Sequence, residues 1–205
     1  MRRKTFDMIL TAGGAVLVVV LLAAGSLGMW AYSFANSNVH DQLAEQKITF
    51  PPAAAFAHPK AGTEITPSMI PSVSQYAGQQ LLTGAQAEAY ANDFIAVHLQ
   101  EIGGGLTYAQ LSSQALALPK GSAAYTALEA KVQTVFQGTT LRGLLLEAYS
   151  FWTFGQIALV AAIISFALAA VMLVLTILGW IHYRRVSANV PFPRPRTEEE
   201  VLAQE

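Results

Sequence analysis

Charge disappears from this chain over two long stretches, and that constrains its fold more than any other feature. The first runs from Met8 to Phe34, between Asp7 and His40, and holds the aliphatic run Val16-Leu17-Val18-Val19-Val20-Leu21-Leu22. The second runs from Ala148 to Trp180, between Glu147 and His182. About 20 apolar residues in a helix cross the hydrocarbon core of a bilayer, and both stretches exceed that. Soluble helices this long carry charge on at least one face. The composition agrees: 53% of the 205 residues are hydrophobic and 12% charged, against roughly 25% charged in a soluble domain. Disorder is excluded, because it needs low hydrophobicity and high charge.

Aromatic residues sit at the ends of these stretches. Trp30, Tyr32 and Phe34 close the first. Tyr149, Phe151, Trp152 and Phe154 open the second, and Trp180 and Tyr183 close it. An apolar ring with an N–H or O–H settles at headgroup level, so Trp30, Tyr32, Tyr149, Trp152, Trp180 and Tyr183 are the expected interfacial anchors. Basic residues set the orientation. Seven of the twelve Lys and Arg lie in the two tails (Arg2, Arg3, Lys4, Arg184, Arg185, Arg194 and Arg196), whereas the segment 36–147 holds five basic against eight acidic residues. Both termini are therefore expected in the cytoplasm and the centre outside. A cleaved signal peptide is the rival reading, with Ser33-Phe34-Ala35 as the cleavage site. The first apolar stretch is too long for the 7–15 residues typical of a signal core.

The expected layout is a cytoplasmic N-terminus (1–7), a transmembrane helix (8–34), a mostly helical extracytoplasmic domain (35–147), a second transmembrane helix with interfacial ends (148–183) and a cytoplasmic tail (184–205). The fold class is thus an all-α membrane protein with two transmembrane helices. In the central segment, residues 39–46 should prolong the first helix. Pro51, Pro52, Pro59, Pro67 and Pro71 keep the chain extended or irregular to about Ser74. Thr83 can then cap a helix whose apolar stripe includes Ala87, Tyr90, Phe94, His98 and Ile102, ending at Gly103-Gly104-Gly105. Thr107 caps a short helix that Pro119 stops. Ser122 can cap a helix over 123–136. Gly138 is expected to break it, and Thr139 or Thr140 to start another that runs into the second apolar stretch. In the tail, Pro191 to Arg196 favours polyproline II, and Thr197 to Glu200 has capping-box form.

Signatures of chemistry are missing. There is no cysteine, hence no disulfide, thiolate nucleophile or Cys-held metal. HExxH, G-x-S-x-G, S-x-x-K and Walker A patterns do not occur. Three histidines, His40, His58 and His98, fall in the outer segment, and a metal or hydrolase site would need them to converge. His98 shares a helix side with Glu101, which suggests a half-buried imidazole beside a carboxylate. His182 reads as an interfacial polar residue. No enzyme activity, cofactor or metal is expected, and a net charge of -1 gives no general attraction to nucleic acid.

Interaction features are what is left. Gly14, Ala24, Gly25 and Gly28 in the first span, and Ala161, Ser165 and Ala169 at steps of four in the second, with Ala158 and Ala162 adjoining, let helix backbones approach closely. Arg142 is the only charge between Lys131 and Glu147, and could grip a lipid phosphate or a partner carboxylate.

Three stretches carry a resemblance: TGAQAEAYANDFI (83–95); His98-Leu99 with Gly105-Leu106-Thr107-Tyr108; and FQGTTLRGLLL (136–146). The QKITFPP segment (46–52) fits as well. Together they resemble a family of uncharacterised actinobacterial two-span membrane proteins with an extracytoplasmic helical loop. The resemblance implies a Gram-positive, high-GC cell envelope and attachment to a larger membrane assembly, and no reaction. The expected function is that of an accessory or assembly subunit, with membrane lipids and a protein as partners. A ligand-binding or sensory ectodomain is the alternative.

Overall fold

The computed structural model describes residues 3–60 and 62–185. It is 83% helical. Among the described residues there is no β-strand, only an isolated antiparallel bridge between Thr49 and Gln80. Helix α1 is Arg3–Gln46 and α3 is Tyr108–Leu116. Helix α4 is Ala123–Arg185, 63 residues long. Helix α2 covers 84–103 in three parts: α-helical Gly84–Ala89, a π-helical Tyr90–Ile95 and α-helical Ala96–Gly103.

The chain forms two compact units. Among the described residues, one comprises those of the 1–30 and 158–205 stretches and the other those of 31–157. In the first unit, Ala162 and Ala169 of α4 are buried, as is Val18 of α1. Their aliphatic neighbours point outward on nearly every side, including Leu10, Val16, Val19, Val20, Leu168, Val171 and Leu178.

The 31–157 unit has a conventional core. Val39 and Leu43 from the end of α1, Phe50, Ile65, Met69, Val73 and Leu81 from the connecting segment, Ala87, Ala91 and Ile95 from α2, and Leu145 from α4 form one buried cluster. A satellite cluster joins Leu111 and Ala115 of α3 to Val132 and Val135 of α4.

The expected helix boundaries rest on visible chemistry. Helix α1 continues to Gln46, where Lys47 adopts a left-handed backbone (φ 54°) and reverses the chain. The proline-containing stretch is held by Phe50 N–H donating to the Gln79 carbonyl and Leu81 N–H donating to the Ile48 carbonyl, both at 2.9 Å. Between these contacts it makes only short helical turns, at Ala53–Ala57, Pro67–Met69, Ile70–Val73 and Ser74–Tyr76. Thr83 and Thr107 each form a complete capping box, with Gln86 and Gln110. Gly104 closes α2 with φ 61°, which glycine takes without a Cβ clash.

Gly138 does not break a helix, contrary to the sequence expectation: α4 runs through it without interruption. Glycine costs a helix interior about 1 kcal/mol relative to alanine, but tertiary packing offsets it. A Cβ at Gly138 would lie 2.5 Å from Cδ2 of Leu99, so the missing side chain is what lets α2 lie against α4 here. The tail features at 191–200, and Arg2, Arg194 and Arg196, lie outside the described residues.

Candidate interaction site

The polar centre of the 31–157 unit joins α2 to α4. Arg142 Nη2 donates to Asn92 Oδ1 at 2.8 Å, across 50 positions of sequence. Asn92 lies within the π-helical segment, where the Ala96 N–H reaches back five residues to the Ala91 carbonyl. Such insertions bulge the helix and are frequent at functional sites. The Arg142 Nε is buried and has no hydrogen-bond partner among the described residues. The guanidinium that the sequence offers to a phosphate or a partner carboxylate therefore has an internal acceptor and is only partly exposed. Asn92 carries no sequence signal for this role, because the two residues meet only through the fold.

His98 and Glu101 engage different partners. The His98 Nδ1 lies 2.9 Å from the Phe94 carbonyl one turn back, and Glu101 Oε1 accepts from the Gly62 N–H at 3.4 Å. His98 also ends a ladder of ring contacts along α2, with Phe94 at 4.6 Å and Tyr90 stacked on Phe94 at 4.7 Å. Phe50 meets the far side of Tyr90 at 5.3 Å. Burial, and secondarily the Glu64 carboxylate, push the Tyr90 phenol above its usual value of 10.0. Gln86 is buried and well bonded: its Oε1 accepts from the N–H groups of Leu82 and Thr83, and its Nε2 donates to Gln79 Oε1. Among the described residues no three His, Asp or Glu side chains come together as a metal site would require.

A groove of about 430 Å³ lies on this unit between the end of α1 and the middle of α4. Val39, Leu43 and Leu145 form its buried floor. One wall is Phe34, Asn38, Gln42 and Gln46, at steps of four along α1. The other is Leu141, Leu144, Ala148 and Phe151, at steps of three, four and three along α4. Leu144 is 60% exposed, and Phe34 and Phe151 meet edge to face at 6.3 Å. Glu147 is the one charged residue lining it.

The sequence-derived anchors fall into different environments. Trp30 and Trp180 are exposed. Tyr32 and Tyr149 are half-buried. The Arg184 guanidinium lies 4.0 Å from the centre of the Trp180 ring, and Lys4 Nζ lies 5.2 Å from that of Tyr183. Trp152 stacks with Tyr149 and also packs against the core. It covers Gly84 so closely that a Cβ there would lie 2.4 Å from the Trp152 Cβ.

In the 1–30/158–205 unit the small residues are in contact. A Cβ on Gly28 would lie 3.0 Å from the Ala158 carbonyl oxygen and 3.1 Å from the Ala162 Cβ. One on Gly25 would lie 2.8 Å from the Phe166 ring. Ala161 lies off this seam: it is exposed, whereas Ala162 is buried. Steps of four drift round a helix by roughly 40° each. A lasting contact between helices must alternate steps of three and four. Ala158, Ala162, Ser165 and Ala169 follow that alternation, with Ser165 half-buried and Ala169 buried. On α1 the protected positions are Asp7, Thr11, Gly14, Val18, Leu21, Gly25 and Gly28, an unbroken alternation of four and three. That heptad spacing is the sequence signal for the seam. Asp7 Oδ2 is buried within it, 4.0 Å from His182 Nε2.

No protein-family profile, curated protein or solved structure matches this chain.

Proposed function

We propose that this chain is a non-catalytic integral membrane protein with two spans, both termini in the cytoplasm and a helical outer domain, and that it serves as an accessory or assembly subunit of a larger complex in a bacterial cell envelope. One observation carries the membrane part of this reading. Two helices hold windows with mean hydropathy of 2.4 and 2.9, yet only 17% and 11% of those windows is buried. The core helix of a soluble protein hides such a face. Here the leucines, valines and isoleucines point outward, and lipid is the solvent that accepts them. The basic residues at the chain ends supply the orientation. The first span is read as an uncleaved anchor because its apolar stretch exceeds a signal core; Ser33-Phe34-Ala35 lie inside α1, where Ala35 is buried and a Cβ on Gly155 would approach it to 2.9 Å.

The accessory role rests on the partly apolar groove and on the few charges of the outer segment. It also draws on the resemblance to two-span envelope proteins. The chain has no cysteine, so single introduced cysteines give clean topology. Residues such as Lys120 should react with a membrane-impermeant maleimide in intact cells once replaced by cysteine, and Arg185→Cys should react only after permeabilisation. The protein should resist carbonate extraction and leave mild detergent with a stoichiometric partner. Extraction by carbonate removes the membrane reading, and a lone monomer in several mild detergents removes the accessory role.

A further inference from the structure

The groove between α1 and α4 in the 31–157 unit has the shape and chemistry of a helix-docking site. We infer that it receives an amphipathic helix from a partner membrane protein, one that presents a basic side chain at the level of Glu147. This deepens the accessory-subunit reading and rests on it.

Three observations select that occupant. The α4 wall, Leu141, Leu144, Ala148 and Phe151, follows the three-four-three spacing of a helix-packing seam; Ala148 is half-buried against the core and Phe151 meets Phe34 at its edge, but Leu141 is 36%, Leu144 60% and Phe151 41% exposed. The opposite wall is a row of amides, Asn38, Gln42 and Gln46, which fall one helical turn apart. Asn38 Nδ2 already donates to the Phe34 carbonyl at 3.0 Å, but an acyl chain lying there would cover the Gln42 and Gln46 amides without bonding them, at a cost in free energy. A helix can set its apolar stripe on the leucines and bring a polar edge to the amides. Thirdly, Glu147 is the only charge on the rim among the described residues. Two copies of this chain share one orientation in the membrane, so a symmetric pair joined through this groove would bring the two Glu147 carboxylates to the same height. Like charges at such a position disfavour self-association, and a Lys or Arg on another chain is favoured there.

The test uses the full-length protein in its native membranes. A benzophenone-bearing amino acid is placed at Leu144 or Gln42, on the two walls, or at Leu116, which is 73% exposed on α3 and outside the groove. The expected result is one partner protein crosslinked from both walls and not from position 116. Its crosslinked residues should map to a single face of a helix adjoining an apolar span. Glu147→Lys should then lower the yield about threefold or more, and Glu147→Gln less, as expected for removal or reversal of a rim charge. Glu147 is exposed, so neither variant disturbs the core. Crosslinks to a second copy of this chain, to lipid alone, or equally from all three positions overturn the inference. So does an absence of crosslinks from the groove when a partner still co-purifies, which leaves the accessory role intact. Loss of the co-purifying partner itself would instead overturn that role, and this inference with it.

Discussion

Arg142 and Asn92 form a hydrogen bond of 2.8 Å that ties the π-helical turn of α2 to the middle of α4. A guanidinium committed to a neutral amide, with its own Nε buried and unbonded, fixes the height of one helix on the other. Hydrogen bonds to charged groups contribute about 1.5–3 kcal/mol. Asn92→Ala should therefore destabilise the outer domain by about that amount, because the guanidinium loses its acceptor. Arg142→Lys should not restore the wild-type value, since an ammonium lacks the planar fork that reaches Asn92. Denaturant unfolding in detergent, followed by tryptophan fluorescence, measures both.

Gly28 and Gly84 mark close approaches in different units. A side chain at Gly28 meets the backbone carbonyl of Ala158, which cannot move away as a flexible side chain could. Gly28→Leu should separate α1 from α4 and lower the thermal stability of the detergent-solubilised protein. Val20→Leu, on an exposed face of α1, should leave it unchanged. Gly84→Ala collides with Trp152 and should cost about 1–3 kcal/mol as overpacking. The Trp152 emission maximum should move to longer wavelength as water reaches the ring.

Leu99 and Gly138 should be strongly non-additive. Alone, Gly138→Ala runs into Leu99 Cδ2 and destabilises despite its gain of about 1 kcal/mol in helix propensity. In a Leu99→Ala background the collision is gone, and the same substitution should stabilise. A double-mutant cycle checks the change of sign.

The Tyr90 phenol should ionise above the ordinary tyrosine value. Its folded-state value is raised above 10.0, first by burial and then by Glu64. The native state therefore holds the phenolic proton more tightly than the unfolded chain does. The resulting stability is fully present below pH 10 and is lost as pH rises from there through the folded value. An absorbance titration near the tyrosinate band should show a component above pH 10 that belongs to Tyr90. Tyr90→Phe should remove it and flatten the decline in stability above pH 10.

The caps of α2 and α3 were legible because Thr83 and Thr107 act on residues three positions away. The two apolar helices were legible because a charge-free stretch of that length is read from composition alone. The heptad along α1 from Asp7 to Gly28 is equally local, although its alternation of four and three is masked by apolar residues at every other position.

Sequence by itself determined the two long apolar helices, the capped starts at Thr83 and Thr107, where charge is excluded and which small residues are available, since each follows from neighbours within a few turns. Only the tertiary structure decided that Gly138 is a packing notch rather than a breaker. It alone assigned Arg142 to Asn92 and brought the amides of α1 opposite the leucines of α4. Those outcomes depend on contacts between residues tens of positions apart. The free energy of such a contact exists only once the intervening chain has been ordered.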